Sequence, residues 1–248
     1  MSHPEQLAFF QAVVDCNPSL IPAAEIIEIG SYDVNGSVRD IFRGAKSFVG
    51  VDLTEGPGVD IVGFGHEIEH PDGSYDISVS GECFEHDPHW KATFDNMVRM
   101  TRPGGLVVFT CASHGRPEHG TSRSDVTDSP GTQSEGLDYY LNLTEEDFRP
   151  LPLDEWFSRY KFWYQPSTFD LYFTGVRSGA DSTAALPQDS DVKAIRGMLP
   201  LAHRLVRLPL RVAAKVVKDE ERYQNLVMPY WLFLLRRSEG SHRAARTG

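Results

Sequence analysis

Residues 26–36 read IIEIGSYDVNG, and residues 48–53 read FVGVDL. The apolar run of Ile26, Ile27 and Ile29 ends at Gly30. A polar turn follows, and Asn35-Gly36-Ser37 leads into VRDIFR, which the spacing predicts as the first turns of a helix over 36–44. After about twenty residues, a second apolar strand ends in an acid, Asp52. A strand, a glycine-bearing turn, a helix and a strand ending in an acid suit an adenosine ligand. The turn lets the ligand approach the backbone, and the acid accepts hydrogen bonds from ribose hydroxyls.

Outward from this stretch, the pattern predicts strands at 25–30 and 47–53, with a brief third strand inside the glycine-rich residues 54–65. It predicts a fourth strand at 75–81 and a helix from Asp87 to Met100, with Trp90, Phe94, Met97 and Val98 on one face. Pro103-Gly104-Gly105 then launches a fifth strand, LVVFTCAS. Strands alternating with helices imply an α/β fold, a doubly wound, mostly parallel sheet with right-handed crossovers. An N-terminal helix lies before it, in residues 1–24. Residues 114–150 break the rhythm with a long polar, glycine-rich segment, and such segments are usually functional. A short helix near 152–158 and an antiparallel pair, KFWYQ (161–165) and FDLYFTGVR (169–177), close the sheet within residues 151–178. Residues 191–236 form a C-terminal helical extension broken at Pro200 and Pro209, in which YWLFLL (230–235) reads as a strand or a buried helix end. The whole of 1–248 is expected to be a single domain with its cofactor-binding core in 25–113.

The chain has 248 residues, 40% hydrophobic, enough for one large α/β unit. Its charge is uneven. Residues 1–190 carry 12 Lys/Arg against 30 Asp/Glu, a net of −18, and residues 191–248 carry 12 against 5, a net of +7, together −11. The acidic body argues against nucleic acid as a partner. The basic segment 191–218 leaves peripheral contact with an anionic membrane open, beside the plainer account of a helix packed on the domain or on a second copy. Cys16, Cys83 and Cys111 have no metal-site spacing, so reduced thiols in a cytoplasmic setting are expected. MSHPEQLAFF lacks the pattern of a signal peptide, and no apolar run is long enough to span a membrane. A monomer or a homodimer is expected.

The motifs, in their order and spacing, resemble those of class I S-adenosylmethionine-dependent methyltransferases of the type 11-like kind. Glu28-Ile29-Gly30 to Gly36 resembles that family's first motif, with one extra residue in the turn. Asp52 matches its ribose-holding acid, Tyr75-Asp76-Ile77 its fourth-strand entry, and Arg102-Pro103-Gly104-Gly105-Leu106 the segment before strand five. The resemblance implies a seven-stranded Rossmann-like sheet with an antiparallel last strand. It also implies S-adenosyl-L-methionine held by Glu28, Gly30, Ser31, Asn35, Gly36, Asp52 and Leu53, by Gly65, His66 and Glu67 at the adenine, and by Gly81 and Glu82 beside the sulfonium. The residues themselves point the same way. A diphosphate cofactor would want further glycines in the first turn, and Asp33 would repel it.

For the chemistry, Gly81-Glu82-Cys83-Phe84-Glu85-His86-Asp87 at the end of strand four offers carboxylates and an imidazole. Glu82, His86 and His119 are the candidate catalytic residues, a histidine being suited to general-base work near neutrality. Glu85, His86 and His114 are candidate ligands for Mg²⁺, since E-x-x-E-H is similar to the metal-binding motif of small-RNA 2′-O-methyltransferases. The loop with Arg116, Glu118, Arg123, Asp125, Asp128, Tyr139 and Tyr140 has the mixture of charges and rings that binds polyols. The loop sequence HGRPEHGT also resembles that of bacterial enzymes modifying polysaccharides. The expected function is O-methylation of a sugar or oligosaccharide hydroxyl, in polysaccharide biosynthesis. The alternatives are a small phenolic or lipid-linked acceptor, and a non-catalytic scaffold.

Overall fold

A computed structural model describes the backbone of residues 3–246 and the side chains of residues 3–235. Seven strands are built: β1 (Glu25–Ile29), β2 (Ser47–Asp52), β3 (Ile61–Val62), β4 (Tyr75–Gly81), β5 (Thr101–Ala112), β6 (Phe157–Gln165) and β7 (Asp170–Arg177). The helices are α1 (Pro4–Asp15), α2 (Trp90–Met100), α3 (Pro130–Ser134), α4 (Glu145–Phe148), α5 (Leu153–Trp156), α6 (Asp189–Ile195), α7 (Leu201–Val206), α8 (Leu208–Val216) and α9 (Glu220–Arg246). The strands lie in the order β3-β2-β1-β4-β5-β7-β6. β1 to β5 pair in parallel, and β7 runs antiparallel to both β5 and β6. This is the seven-stranded, doubly wound sheet with an antiparallel last strand that the sequence leads one to expect.

The period of two along each strand sorts the core into two faces. Ile27, Val107, Phe109 and Phe173 pack with Phe94 and Met97 of α2. Ile26, Ile77, Leu106 and Tyr172 pack with Phe9, Phe10 and Val13 of α1 and with Val192 of α6. The N-terminal helix therefore covers half of one face. His3 caps it, accepting a hydrogen bond from the Gln6 amide in a reciprocal capping box.

The chain between β1 and β2 differs from the sequence expectation of a helix over 36–44. It forms one 3-10 turn, Val38–Asp40, followed by turns up to Gly44. Ser37 accepts from the Arg39 amide, and Phe42 is buried beneath the turn. Between Gly36 and Gly44 there is too little chain to offset the cost of helix nucleation, and burial of Val38 and Phe42 sets the path instead. The fifth strand also starts earlier than expected. Thr101 already pairs with Tyr75, and Pro103-Gly104-Gly105 lies within the strand at a register shift. In the C-terminal extension, Pro200 caps α7, Pro209 occupies the first turn of α8, and YWLFLL continues α9 as helix. No helix among the described residues is long and apolar enough to cross a membrane.

Candidate active site

At the C-terminal ends of β1, β2 and β4 the chain opens into a cleft, where a doubly wound sheet receives its ligands. Glu28, Gly30, Ser31, Gly36, Asp52, Leu53, Gly65, Gly81, Glu82 and His86 line it, all singled out in the sequence. Asn35 is exposed, and neither it nor His66 or Glu67 lines the cleft. His66 turns its ring onto His89, 4.4 Å away, on a separate surface shared with Glu67, while Gly63, Phe64 and Gly65 present backbone and ring to the cleft. The 3-10 turn at Gly65–Glu67 directs these two side chains outward.

The first turn is shaped by sterics. Gly30 has φ +83°, and a Cβ there would fall 2.5 Å from the Cys83 Cβ, so only glycine lets β1 and β4 diverge at this point. Asp52 accepts from the Tyr32 amide through Oδ2 and from the Leu53 amide through Oδ1. Burial holds its carboxyl above the usual range, against the pull of those two amides. Glu28 is fully enclosed, with Oε2 unpartnered, and burial followed by repulsion from Asp52 and Asp33 pushes its pKa to about 8, with Arg39 opposing. Glu28, Asp52, Glu82, Asp87 and Asp128 all face the cleft, and among the described residues no Lys or Arg lines it.

The long loop after β5 folds back over this cleft. α3 lays Gly131 so closely on Asp52 that a Cβ would come within 2.4 Å of Oδ1, and Asp128, Ser129, Pro130 and Thr132 complete that wall. The extension pins the base of the loop. Tyr223 donates to the Gly115 carbonyl at 2.7 Å, Gln224 donates to the Arg116 carbonyl at 2.9 Å and accepts from the Glu118 amide, and Asn142 donates to Glu220.

Two buried groups meet beside the cleft. The first is an ionic network. Glu82 has φ +53°, a strained conformation for a residue with a side chain, and follows the end of β4. Its carboxylate has no hydrogen-bond partner and faces Arg116 at 3.8 Å. Arg116 donates to Asp170 at 2.7 Å, and His3 lies 3.0 Å from the same carboxylate. Burial alone would raise the Asp170 pKa, but Arg116 and His3 hold it at about 2. Burial would likewise lower His3, but Asp170 lifts it to about 9. Burial and Asp170 raise Glu82, with Arg116 opposing. Neither Asp170 nor His3 carries a sequence signal, since they are the first residue of β7 and the cap of α1.

The second group is Glu85, His86 and His119. The two imidazoles are edge to face at 5.0 Å, and Tyr140 packs on both. Both Glu85 oxygens, both His86 nitrogens and His119 Nε2 have no hydrogen-bond partner. His119 Nδ1 lies 3.3 Å from the Pro117 carbonyl, a contact that places its proton on Nδ1 and leaves Nε2 an acceptor. Burial lowers His86 to about 3 and takes His119 well below the usual range, where His86 and Arg116 press it further. Burial, then Glu82, raises Glu85 to about 8.

The expected metal set is not assembled. His114 is drawn away to the extension, with Nε2 2.6 Å from the Ala214 carbonyl and Nδ1 3.7 Å from Glu220. Among the described residues two groups have ligand atoms within 4.8 Å of one another, Glu85, His86 and His119, and His3, Glu82 and Asp170, the second already joined as an ion-pair network, and neither contains His114. Two imidazoles and one carboxylate do not fit Mg²⁺, which takes oxygen donors.

Residues 32–109 match a family described as a methyltransferase domain. Among solved structures the chain is similar to the YcgJ protein from Bacillus subtilis, at 12% identity and a TM-score of 0.51, over 72% of this chain and 100% of that one. It is similar to Haemonchus contortus phosphoethanolamine N-methyltransferase 2 in complex with S-adenosyl-L-methionine, at 15% identity and a TM-score of 0.50, over 70% of this chain and 52% of that one. It is also similar to the 1,6-didemethyltoxoflavin-N1-methyltransferase of Burkholderia thailandensis, at 16% identity and a TM-score of 0.47, over 69% and 79%. At such identities the likeness is one of fold. No curated protein matches the chain.

Proposed function

We propose that the chain, whose residues 32–109 match a methyltransferase domain, is a class I S-adenosylmethionine-dependent methyltransferase and that it methylates a hydroxyl of a sugar or oligosaccharide. The cleft suits S-adenosylmethionine by its charge. It is walled by carboxylates, with no Lys or Arg among the described residues to meet a phosphate, and Oε2 of the enclosed Glu28 lacks a partner. When bound, S-adenosylmethionine supplies an electrophilic methyl group on a positively charged sulfur. In this reading Asp52 accepts hydrogen bonds from the ribose hydroxyls, the backbone at Gly30 and Ser31 faces the methionine portion, and Phe64 and Gly65 border the adenine. Glu28 receives the ammonium group, and ionises as it does so.

The observation that carries the choice of a hydroxyl acceptor is the cluster of buried polar atoms without partners, on Glu82, Glu85, His86 and His119, which mixes acceptors with the N–H of a neutral His86 and the O–H of a protonated Glu85. Buried polar atoms are almost always hydrogen-bonded, so partners that both donate and accept are expected from a ligand. Adjacent hydroxyls of a sugar present several donors at once. His119 Nε2, with its proton held on Nδ1 by Pro117, would take the hydroxyl proton, and such help typically contributes about 10² to 10⁴ in rate. Arg116 balances the charge of Glu82, so a neutral acceptor meets no net repulsion there.

A radiolabelled methyl-transfer screen over sugars, oligosaccharides and small phenols tests this. Transfer to a sugar that depends on His119 is the expected result. Transfer to phenols with none to any sugar overturns the choice of acceptor.

A further inference from the structure

The C-terminal extension carries a pattern that neither methyl transfer nor packing of the domain uses. In α8 the residues turned inward are Leu210 and Ala214, which pack on Phe169, Tyr223 and Val227. On the outside, Leu201 and Leu205 lie one turn apart on α7, and Leu208, Val212 and Val216 lie at steps of four on α8, so each helix presents an apolar stripe. They are not incidental surface residues. Leu201 is 68% exposed, Leu205 60% and Val216 77%. Arg204, Arg211, Lys215 and Lys218 recur beside them, while Arg207 turns inward to donate to the Ser167 carbonyl. Among the described residues, none of Arg196, Arg204, Arg211, Lys215 and Lys218 forms an ion pair. A cleft walled by Pro166, Phe169, Leu208 and Val212 and rimmed by Arg196, Arg211, Lys215 and Lys218 opens on the same side.

We propose that the outer face of α7 and α8 docks on an anionic lipid bilayer, with the leucine and valine stripe entering the headgroup boundary. Charge selects this occupant. The stripe is flanked by unpaired cations, in a segment of net charge +7 attached to a body of −18. The acidic body would be repelled by an anionic membrane, so attraction is confined to this face and fixes the orientation. A stripe meant for a soluble protein partner would not need flanking cations on every turn, whereas a helix lying at the interface does. Docking would also hold the loop base, Gly115 to Glu118, near the lipid, because Tyr223 and Gln224 of α9 bind it. The proposal does not depend on the nature of the methyl acceptor.

Co-sedimentation of the full chain with vesicles of phosphatidylcholine, with and without phosphatidylglycerol, tests it apart from any activity. Binding is expected with phosphatidylglycerol, falling steeply between low and physiological salt, and absent with phosphatidylcholine alone. Each removed cation, as in Lys215→Ala or Arg204→Ala, should weaken binding about fivefold, from roughly 1 kcal/mol per basic residue at such a surface. Leu205→Asp with Val212→Asp should abolish it while leaving the circular dichroism and melting temperature unchanged, since both side chains are exposed. Failure to sediment with either vesicle at low salt overturns the proposal, as does equal binding to both. If sedimentation velocity shows a dimer that the same two aspartates dissociate, without vesicle binding, the face belongs to a second copy of the chain.

Discussion

Glu28 lies in β1 and Glu82 just past the end of its neighbour β4, both buried and both facing one cleft, yet their surroundings are opposite. Glu28 is surrounded by acids, Asp52 and Asp33, with Arg39 as its one opposing charge, and its carboxyl is pushed up to about 8. Glu82 stands against Arg116, which is itself fastened to Asp170 and, through it, to His3. In the proposed reading the Glu28 end is the donor side, where a cationic ligand would draw the proton off the buried acid. The Glu82 end, which carries its own cations, is the acceptor side and suits a neutral ligand. The contrast would let one cleft hold a positively charged methyl donor and an uncharged acceptor at separate ends.

The contrast breaks most severely if the network on the acceptor side loses a member. Asp170→Asn leaves Arg116 and His3 buried without a carboxylate, and breaking a buried pair in this way costs about 3–5 kcal/mol. A fall of about 10 °C in melting temperature is expected. The sign with pH follows from the same residues. Asp170, held down at about 2, contributes stability above the ordinary aspartate range that is lost as pH falls through 2. His3, raised to about 9, contributes stability below the ordinary histidine range that is lost as pH rises through 9. Thermal melts across that window should therefore flatten in the variant. A comparable effect on catalysis, without the loss of fold, is expected from His119→Ala. Methyl transfer should drop by about 10² to 10⁴, while S-adenosylmethionine affinity measured by calorimetry stays within about twofold.

The two sides also differ in how legible they are. Most of the donor side could be read from the chain because its elements are local. IIEIG and FVGVDL are strands that end in the turn and the acid they present, and the cleft-lining residues sit within the motif. Where that reading missed, as with His66, Glu67 and the helix over 36–44, a single turn of backbone decided which way side chains pointed. The acceptor side is assembled from Glu82, Arg116, Asp170 and His3, spread over 167 residues of sequence separation between His3 and Asp170. No spacing rule joins them, because the antiparallel insertion of β7 and the cap of α1 bring them together. His114 was drawn from the others by the extension, whose docking through Tyr223 and Gln224 has no motif.

A smaller effect sharpens the comparison from the donor side. The ligand-free protein keeps a proton on Glu28 between the ordinary glutamate range and about 8, where the unfolded chain has released it, so burial of this group costs stability as pH rises across that window. Binding of a cationic ligand needs the ionised carboxylate. S-adenosylmethionine should accordingly bind about tenfold more weakly at pH 6 than at pH 7, a range in which its own ammonium stays largely protonated. Glu28→Gln should remove that pH slope, lower affinity to about a tenth at pH 8.5, and raise the melting temperature of the ligand-free protein at the same pH. An unchanged slope in Glu28→Gln would mean another group holds the ammonium.

The smallest expected effect tests whether α3 belongs to the donor side. Gly131 has an ordinary backbone conformation, so alanine there is unstrained and favours the helix, and the only obstacle is its Cβ, 2.4 Å from Asp52 Oδ1. To admit it, α3 must lift from Asp52 and Leu53, opening that wall of the cleft. About fivefold weaker binding of S-adenosylmethionine is expected, corresponding to about 1 kcal/mol, with the pH slope set by Glu28 unchanged. Gly136→Ala is the matched control. Nothing lies within 4 Å of its added Cβ, but its φ is +68°, so alanine strains the backbone without touching the cleft. Thermal melting should record about 1 kcal/mol of lost stability there, with affinity unaltered. The two alanines, five residues apart in one loop, should separate contact from strain: affinity falls in the first and stability in the second. Equal affinities in both would place α3 outside the donor side.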